Sequence, residues 1–404
     1  MHIDVAVAGG GPAGLSAAEY VARAGLSVVV FEHNREIGSP VRTSGGSFAT
    51  DLTELGLPSH LWHPVHRGRF VSPNHSVAFD YETPEFCVID VHATYQHLAV
   101  RAIEAGAEIR LGHSVLRPIL GTTGVQGLIV RDRGGQEHSV YAKLTIDASG
   151  HRSSIFRQSG AYEGCRRFGV GAEYDLHAPN YDQREALLIV GSAIAPAGYA
   201  WAFPWGNSRV RLGVGVIHPD VETNPEKLLD ELLARSGDFG MNFRGAQPLE
   251  YHHGLIPSDG PIERISGDGI LAAGDAGGQP SALVGEGIRW AIYAGRMAGE
   301  IGANAIQQND LSARRLSRYD REWNRQHGRN LQLAHEINRR IATYSDEQWD
   351  EKAQLLQLLT PREFTEALRT NLVDTWPLQV LRRHPSLIKT SVAHLLRRAA
   401  ATLG

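Results

Sequence analysis

Apolar and polar positions follow two different periods along this chain, and the changes of period mark its elements. An unbroken apolar run, Val5 to Ala8, reads as a strand buried in a parallel sheet. It breaks into Gly9-Gly10-Gly11-Pro12-Ala13-Gly14. A helical spacing follows, with Leu15, Ala18, Val21 and Ala22 on one face. A second strand, Leu26–Phe31, ends at Glu32. Helical period returns over His92–Ala105, where Tyr95, Leu98, Ala99 and Ile103 share a face and Gly106 stops the helix. Ala107–Leu111, Gly127–Arg131 and Ser139–Ile146 read as strands, the last two joined at Gly134–Gly135.

Period-two runs dominate from Phe168 to Ile217: Val170–Leu176, Ala186–Ile194, Tyr199–Trp205 and Arg209–Ile217, with a turn at Trp205–Ser208. An earlier hairpin, Gly68–Pro73 with Ser76–Tyr81, turns at Pro73–Asn74, after a short helix over Asp51–Leu61. A strand, Ile270–Ala273, precedes a Gly-rich loop and a long helix, Ile288–Ala303. From Leu311 the chain reads as helical and charged, with breaks near Pro361 and Pro385. A final helix, Leu387–Leu403, aligns Ile388, Val392, Leu395 and Ala399, with Lys389, Arg397 and Arg398 elsewhere on it.

This order predicts an α/β protein: a Rossmann-type dinucleotide-binding domain, an inserted antiparallel-sheet substrate domain and a helical C-terminal region. The expected divisions are 1–64, 86–160 and 264–308 for the first, 65–85 and 161–263 for the second, and 309–404 for the third. A chain of 404 residues has ample core for this. A net charge of −4 gives no argument for nucleic acid as a partner. Two cysteines, Cys87 and Cys165, make neither a disulfide framework nor a Cys-rich metal motif. His252–His253 reads as a surface or strand pair rather than a metal site, and no metal is expected. The first strand starts almost at Met1, leaving no room for a signal peptide, and no apolar run reaches the length of a membrane span. The expectation is a cytoplasmic protein. The basic final helix keeps peripheral membrane contact open, beside the plainer reading of a helix packed on the protein's own surface.

The chemistry starts at the first turn. Gly9, Gly11 and Gly14 fit G-x-G-x-x-G between a strand and a helix. Gly9 permits the turn, Gly11 admits a pyrophosphate to the backbone, and Gly14 lets helix and strand pack closely. The positive end of the helix dipole then faces the phosphates. Glu32 stands where a carboxylate accepts hydrogen bonds from ribose hydroxyls, which disfavours a 2′-phosphate and leaves FAD or NAD. Arg42, in the polar loop Glu36–Phe48, is a candidate contact to phosphate or adenine. Gly150 closes a small-residue turn, Asp147-Ala148-Ser149-Gly150, suited to close approach of a cofactor. Asp275 is the lone charge in a run of small residues and suits a cofactor hydroxyl; Gly285 and Gly287 leave room for a flat ring. Tyr199, Trp201 and Phe203 share one strand face, which spacing alone reads as an aromatic core face.

Together, GGGPAG with Glu32, the central DASG and the late GDAGG resemble the three fingerprints of single-component FAD enzymes of the p-hydroxybenzoate hydroxylase fold. Within that group the chain is most similar to the geranylgeranyl reductase family. Pro196–Pro204, PAGYAWAFP, matches that family's P-x-x-Y-x-W-x-F-P strand, and Gly213-Val214-Gly215 continues the match. The loop EIGSPVRTSGG and, more loosely, the helical C-terminal region also resemble the family, so the resemblance spans nearly the whole chain. It implies extended FAD, with Glu32 on the adenosine ribose, Asp275 on the ribityl chain and Gly285 and Gly287 under the isoalloxazine. It also turns Tyr199, Trp201 and Phe203 into the wall of a cavity facing the ring. Two positions depart from the family: Thr43-Ser44-Gly45-Gly46 stands where a cysteine is frequent, and Val91 where Arg is usual.

The activity so implied is reduction of carbon–carbon double bonds in an apolar, polyprenyl-like small molecule or lipid. The flavin carries the redox chemistry. Tyr199 is the candidate source of the proton, besides solvent. A monooxygenase acting on a small natural product is the alternative on the same fold, and a flavoprotein that only transfers electrons is a third reading. No second G-x-G-x-x-G with its own β-α-β unit occurs. The electron donor is therefore expected to be NAD(P)H docking transiently or a reduced carrier such as ferredoxin. Nothing in the sequence indicates an oligomeric state.

Overall fold

The computed structural model describes residues 1–385. The helix expected over Leu387–Leu403 lies outside the described residues. The strand His2–Ala8 is the centre of an eight-stranded sheet. It pairs in parallel with Val28–Glu32 on one side and Glu137–Asp147 on the other. Glu108–Leu111 and Ile270–Ala272 extend the parallel set outward. Ser114–Gly121 and Gly124–Arg131 add an antiparallel flap onto Glu137–Asp147. Alternate residues of the central strand face opposite cores. Val5 and Val7 pack with Val28, Val30, Leu144 and Ile146 under the helices Pro12–Arg23 and Ile288–Gln307, while Ala6 and Ala8 pack with Phe31, Leu128 and Phe156.

Those two helices touch backbone to backbone where Gly295 and Gly299 face Ala13 and Ala17. A Cβ on Gly295 would lie 2.1 Å from the Ala13 carbonyl oxygen, and one on Gly299 would lie 2.6 Å from that of Ala17. The long helix thus carries the Asp275–Gly287 loop directly above the first glycine turn.

The second sheet has seven strands in the order Gln247–Pro257, Phe168–His177, Arg209–His218, Tyr199–Gly206, Glu185–Ile189, Arg67–Val71 and Ser76–Asp80. The early hairpin joins this sheet through a parallel pairing of Arg67–Val71 with Glu185–Ile189. One face buries Ala200, Ala202, Leu212, Val214 and Val216 against Leu228, Leu229 and Leu232 of the helix Pro225–Ala234. Asn224 caps that helix by accepting from the Glu226 N–H, with Pro225 in its first turn. The other face is the floor of a cavity. A three-stranded sheet of Gly46–Phe48, Trp62–Val65 and Phe86–Ile89 lies beside it.

The C-terminal helices form the roof. Asp346–Leu356 and Pro361–Leu368 each begin with a capping box, at Ser345 and Thr360. Phe364 stacks on Phe79 with ring centroids 4.0 Å apart, and Trp349 packs on Phe70 at 6.2 Å. Asp350 accepts from Ser72 Oγ, 2.6 Å, and from the Asn74 N–H, 2.9 Å, which ties the roof to the hairpin turn. Among the described residues, no helix is long and apolar enough to cross a membrane.

Three sequence expectations need correction. The helix expected over Asp51–Leu61 is Ala49–Glu54, because Gly56 takes φ +70° and Pro58 follows. The strand expected to reach Ile194 ends at Ile189; Gly191 takes φ +131° and its carbonyl accepts the Ala195 N–H in a turn. Ile103 is 54% exposed, since its helix, Val91–Glu104, packs through Leu98, Ala99 and Ala102.

Gly299→Leu is expected to drive the two packed helices apart. It should cost about 1–3 kcal/mol, the usual range for an overfilled core, or more because the obstacle is backbone. Denaturant unfolding checks this, and unchanged stability would contradict the backbone contact.

Candidate active site

The glycine turn has the shape the fingerprint requires. Gly9 takes φ +109°, and a Cβ there would lie 2.3 Å from the Ala148 carbonyl oxygen, so the first turn rests on the DASG turn. A Cβ on Gly14 would lie 2.0 Å from the Gly9 oxygen, whereas one on Gly11 would meet nothing within 4 Å. Gly11 therefore faces open space at the start of the helix Pro12–Arg23. Glu32 accepts the Gly10 N–H at 2.8 Å and the Asn34 N–H at 2.7 Å, one on each oxygen. Oε1 also faces His33 Nδ1 at 2.9 Å, so Oε2 is the oxygen that keeps a second lone pair for a ligand hydroxyl.

Asp147, which the sequence reading left without a role, fixes the second turn. It accepts from the backbone of Ser149, 2.9 Å, Ile155, 2.9 Å, and Phe156, 2.7 Å. Burial raises its pKa and those bonds offset part of the rise. Gly150 follows with φ +75°. Ser153 Oγ donates to the Ala276 carbonyl at 2.9 Å, so the second turn is tied to the third. There Asp275 presents a carboxylate that, among the described residues, takes no hydrogen bond, and burial lifts its pKa to about 6. The residue is half-buried, so its carboxylate faces the space above the turn. With the open space at Gly11, it matches what a phosphate- and hydroxyl-bearing dinucleotide brings, so the residues present fit FAD.

Two loops face each other beyond Asp275. Thr43–Gly46 and Gly285–Gly287, with Phe48, Phe86, Tyr199 and Phe203, enclose a space of ≈ 50 Å³. Gly285 takes φ +63°; Gly287 takes φ −125°, and a Cβ there would stand 3.5 Å from Asp275 Oδ1. Between them, Glu286 is held by Arg289, Nη2 to Oε2 2.7 Å. Arg289 also donates to Asp51 at 3.2 Å, and Arg369 of the roof donates to Asp51 at 2.9 Å. Across the gap, Arg211 Nη1 donates to the carbonyls of Ser44, 2.7 Å, and Ile89, 2.9 Å. Val91 packs beneath Gly45. The cation that braces this loop thus comes from the sheet, not from position 91. Its signal was readable as a second Arg, two residues after Arg209, inside the apolar strand RVRLGVGVIH.

The adjoining cavity measures ≈ 340 Å³. Its floor is a patch of sheet without side chains: Gly169, Gly171, Gly215 and Gly254. Gly254, Gly171, Gly215 and Tyr199 lie in one cross-strand row; His252, Glu173, Gly213 and Trp201 lie in the next but one. A Cβ on Gly213 would lie 2.3 Å from the Trp201 ring, so the indole lies flat across that strand. It reaches Glu173, Nε1 to Oε2 2.7 Å. Tyr199 donates to the Val284 carbonyl at 2.5 Å, and burial pushes its pKa up. Tyr199 borders both spaces, Trp201 the larger and Phe203 the smaller. The face read from spacing as core is packed, Tyr199 to Trp201 5.6 Å and Trp201 to Phe203 6.3 Å between centroids, and lines these spaces at once. Arg42 is exposed at the rim. The roof residues Ile337, Ile341, Trp349, Leu356, Phe364 and Leu368 close the cavity; the sequence reading had given them no part in a site. His252 and His253 are a strand pair, as expected.

The chain matches two family models: FAD dependent oxidoreductase over residues 4–161, and geranylgeranyl reductase catalytic domain over residues 168–255. It is 32% identical over 397 residues to digeranylgeranylglycerophospholipid reductase 2 of Methanothermobacter thermautotrophicus, covering 96% of this chain and 98% of that one. It is 34% identical over 386 residues to digeranylgeranylglycerophospholipid reductase 1 of Methanopyrus kandleri, covering 93% of this chain and 100% of that one. Among solved structures it is similar to a geranylgeranyl bacteriochlorophyll reductase-like protein of Thermoplasma acidophilum. The TM-score is 0.84 at 24% identity, over 96% of this chain and 99% of that one. The glycine turns, the loop pair and the PAGYAWAFP strand accordingly belong to an FAD-dependent oxidoreductase, and this chain is a member of the geranylgeranyl reductase family.

Proposed function

We propose that this protein reduces the carbon–carbon double bonds of isoprenoid chains carried on a glycerophospholipid. The observation that carries the reading is the cavity itself: apolar, floored by glycine backbone, walled by Tyr199 and Trp201, and opening beside the Gly285–Gly287 loop. Such a slot suits a long, narrow hydrocarbon and offers few polar groups to anything else. The substrate class follows the relatives' names. When bound, FAD supplies the hydride.

The chain's own residues position both molecules. Gly9, Gly11 and Gly14 take the pyrophosphate, Glu32 the adenosine ribose, Arg42 a phosphate or the adenine, and Gly150 the close approach at the second turn. Asp275 takes the ribityl hydroxyls, and Gly285 and Gly287 the ring. Tyr199, Trp201 and Phe203 hold the chain to be reduced. The divisions at 1–64, 86–160 and 264–308, at 65–85 and 161–263, and at 309–404 serve as the cofactor-binding domain, the substrate domain and the helical C-terminal region. Electrons arrive from NAD(P)H or reduced ferredoxin. An anionic membrane surface is the site at which such a lipid is met, through peripheral contact.

The FAD-loaded protein, reduced with dithionite without air, is expected to saturate the geranylgeranyl chains of a digeranylgeranylglycerophospholipid. Mass spectrometry would show two hydrogens gained per double bond. A product formed only in air and carrying oxygen would contradict the reading. Gly171→Leu fills the floor and is expected to lower kcat/KM by about tenfold or more, ~1.4 kcal/mol of transition-state stabilisation, with FAD retained.

A pH measurement tests Asp275. Its pKa of about 6 lies above the unfolded value of about 3.9. The folded apo protein therefore binds more protons than the unfolded chain between those values, and stability falls as pH rises from about 4 to about 6. Asp275→Asn is expected to remove that share of the slope. Saturating FAD should shrink it too, because donors to the carboxylate favour its charged form. Thermal unfolding across this range reads both effects, and an unchanged slope would contradict the assignment.

A further inference from the structure

A line of buried polar groups stands in the wall of the otherwise apolar cavity, and neither cofactor binding nor chain binding uses it. Glu173 lines the cavity and is buried. Its Oε2 accepts the Trp201 indole N–H at 2.7 Å. Its Oε1 lies 3.0 Å from His252 Nδ1. His252 Nε2 lies 3.1 Å from Glu250 Oε2, and the Glu250 side chain is 53% exposed. Two successive hydrogen bonds thus connect the cavity wall to water, along one row and one edge strand of the sheet.

The charges around this line come from each neighbouring strand. Arg209 reaches Glu250 at 3.3 Å and Asp175 at 2.8 Å. Arg211 faces Asp175 at 3.7 Å and acts on His252. Tyr199 lies within the field of Glu173. Burial by itself lowers the His252 pKa, but the bonds to Glu173 and Glu250 outweigh burial and Arg211 and leave it raised. The ring holds its proton to higher pH than a free histidine, between two acceptors. Tyr199 is a poorer acid, since its hydroxyl is already given to Val284 and burial raises its pKa.

Resting on the reading that this protein reduces prenyl double bonds, we propose that Glu173 is the acid that protonates the substrate, resupplied from water through His252 and Glu250. The balance is simple. The hydride, with its electron pair, makes one new C–H bond. His252 passes its Nδ1 proton to Glu173 Oε1, and the π pair of the alkene takes that proton to make the other, as the new O–H bond breaks. Glu173 is then a carboxylate again, and His252 regains its proton from water by way of Glu250. The Trp201 N–H on Oε2 and the His252 ring on Oε1 fix the plane of the carboxyl against the cavity, which makes Trp201 a positioning residue for the acid as well as a wall.

The test uses the FAD-loaded full chain in anaerobic single turnovers with a geranylgeranylated glycerophospholipid. Glu173→Gln is expected to slow saturation of the chain by about a hundredfold or more, the usual reach of a general acid. FAD content, the rate of flavin reduction by dithionite and lipid binding should stay within about threefold of the parent, on the same scale. His252→Gln is expected to lose about tenfold and to abolish the fall in rate at alkaline pH that the relay gives the parent. Glu173→Asp keeps a carboxyl and should recover part of the rate. Near-parental turnover in Glu173→Gln would overturn the proposal. So would a loss of lipid binding matching the loss of turnover, which would make Glu173 a prop for Trp201. A parent protein that saturates no prenyl lipid would overturn the underlying reading, and the relay with it.

Discussion

The indole of Trp201 occupies the space that a side chain at position 213 would fill. A Cβ there would lie 2.3 Å from the ring. Much of the site depends on that missing atom. With Gly213 bare, the ring lies across the strand and reaches Glu173 two strands away. With Gly169, Gly171, Gly215 and Gly254 also bare, the sheet face beside the ring is backbone, and a long apolar molecule can lie against it. The cofactor end uses the same means. Gly9, Gly14 and the DASG turn meet at distances no Cβ tolerates, and Gly11 is left open. Glycine costs conformational entropy, and the chain spends it at both ends of the site.

The roof and the Gly285–Gly287 loop are one unit, although far apart in sequence. Arg289 joins Glu286, between the two loop glycines, to Asp51, and Arg369 joins Asp51 to the roof. These groups are buried or nearly so, and a buried ion pair gains little net stability once desolvation is counted. What such a cluster gives is geometry: in this arrangement Arg289 and Arg369 meet on Asp51 and tie loop, helix and roof together. The Phe79–Phe364 and Phe70–Trp349 contacts hold the far end of the roof in the same way by packing.

Much of the cofactor end was legible in the sequence, because its signals are local. The strand, glycine turn, helix and second strand stand within the first thirty-two residues, and their order fixes their geometry. The aromatic strand was legible as a face; which neighbour that face had was not. The roof was invisible because its contacts close over large separations, Phe79 with Phe364 and Ser72 with Asp350. The link between Glu173 and His252 depends on strand register, which nothing near either residue encodes. Two misses were readable: Asn224-Pro225 ahead of Leu228, Leu229 and Leu232 is a capped amphipathic helix, and Arg211 is a charge inside an apolar strand. The short helix at Asp51 and the strand at Ala186 ran too long because Gly56 and Gly191 were passed over as turn positions.

The central claim is that the glycine-floored cavity holds a prenyl chain beside the bound flavin. Crystals of the FAD-loaded protein soaked with a saturated, non-reducible twenty-carbon prenyl lipid measure this directly. The account places the chain's density along Gly169, Gly171 and Gly215, between Trp201 and the roof, with the isoalloxazine against Gly285. Density for the chain anywhere else, or a flavin ring on the far side of Tyr199 from the cavity, would contradict it.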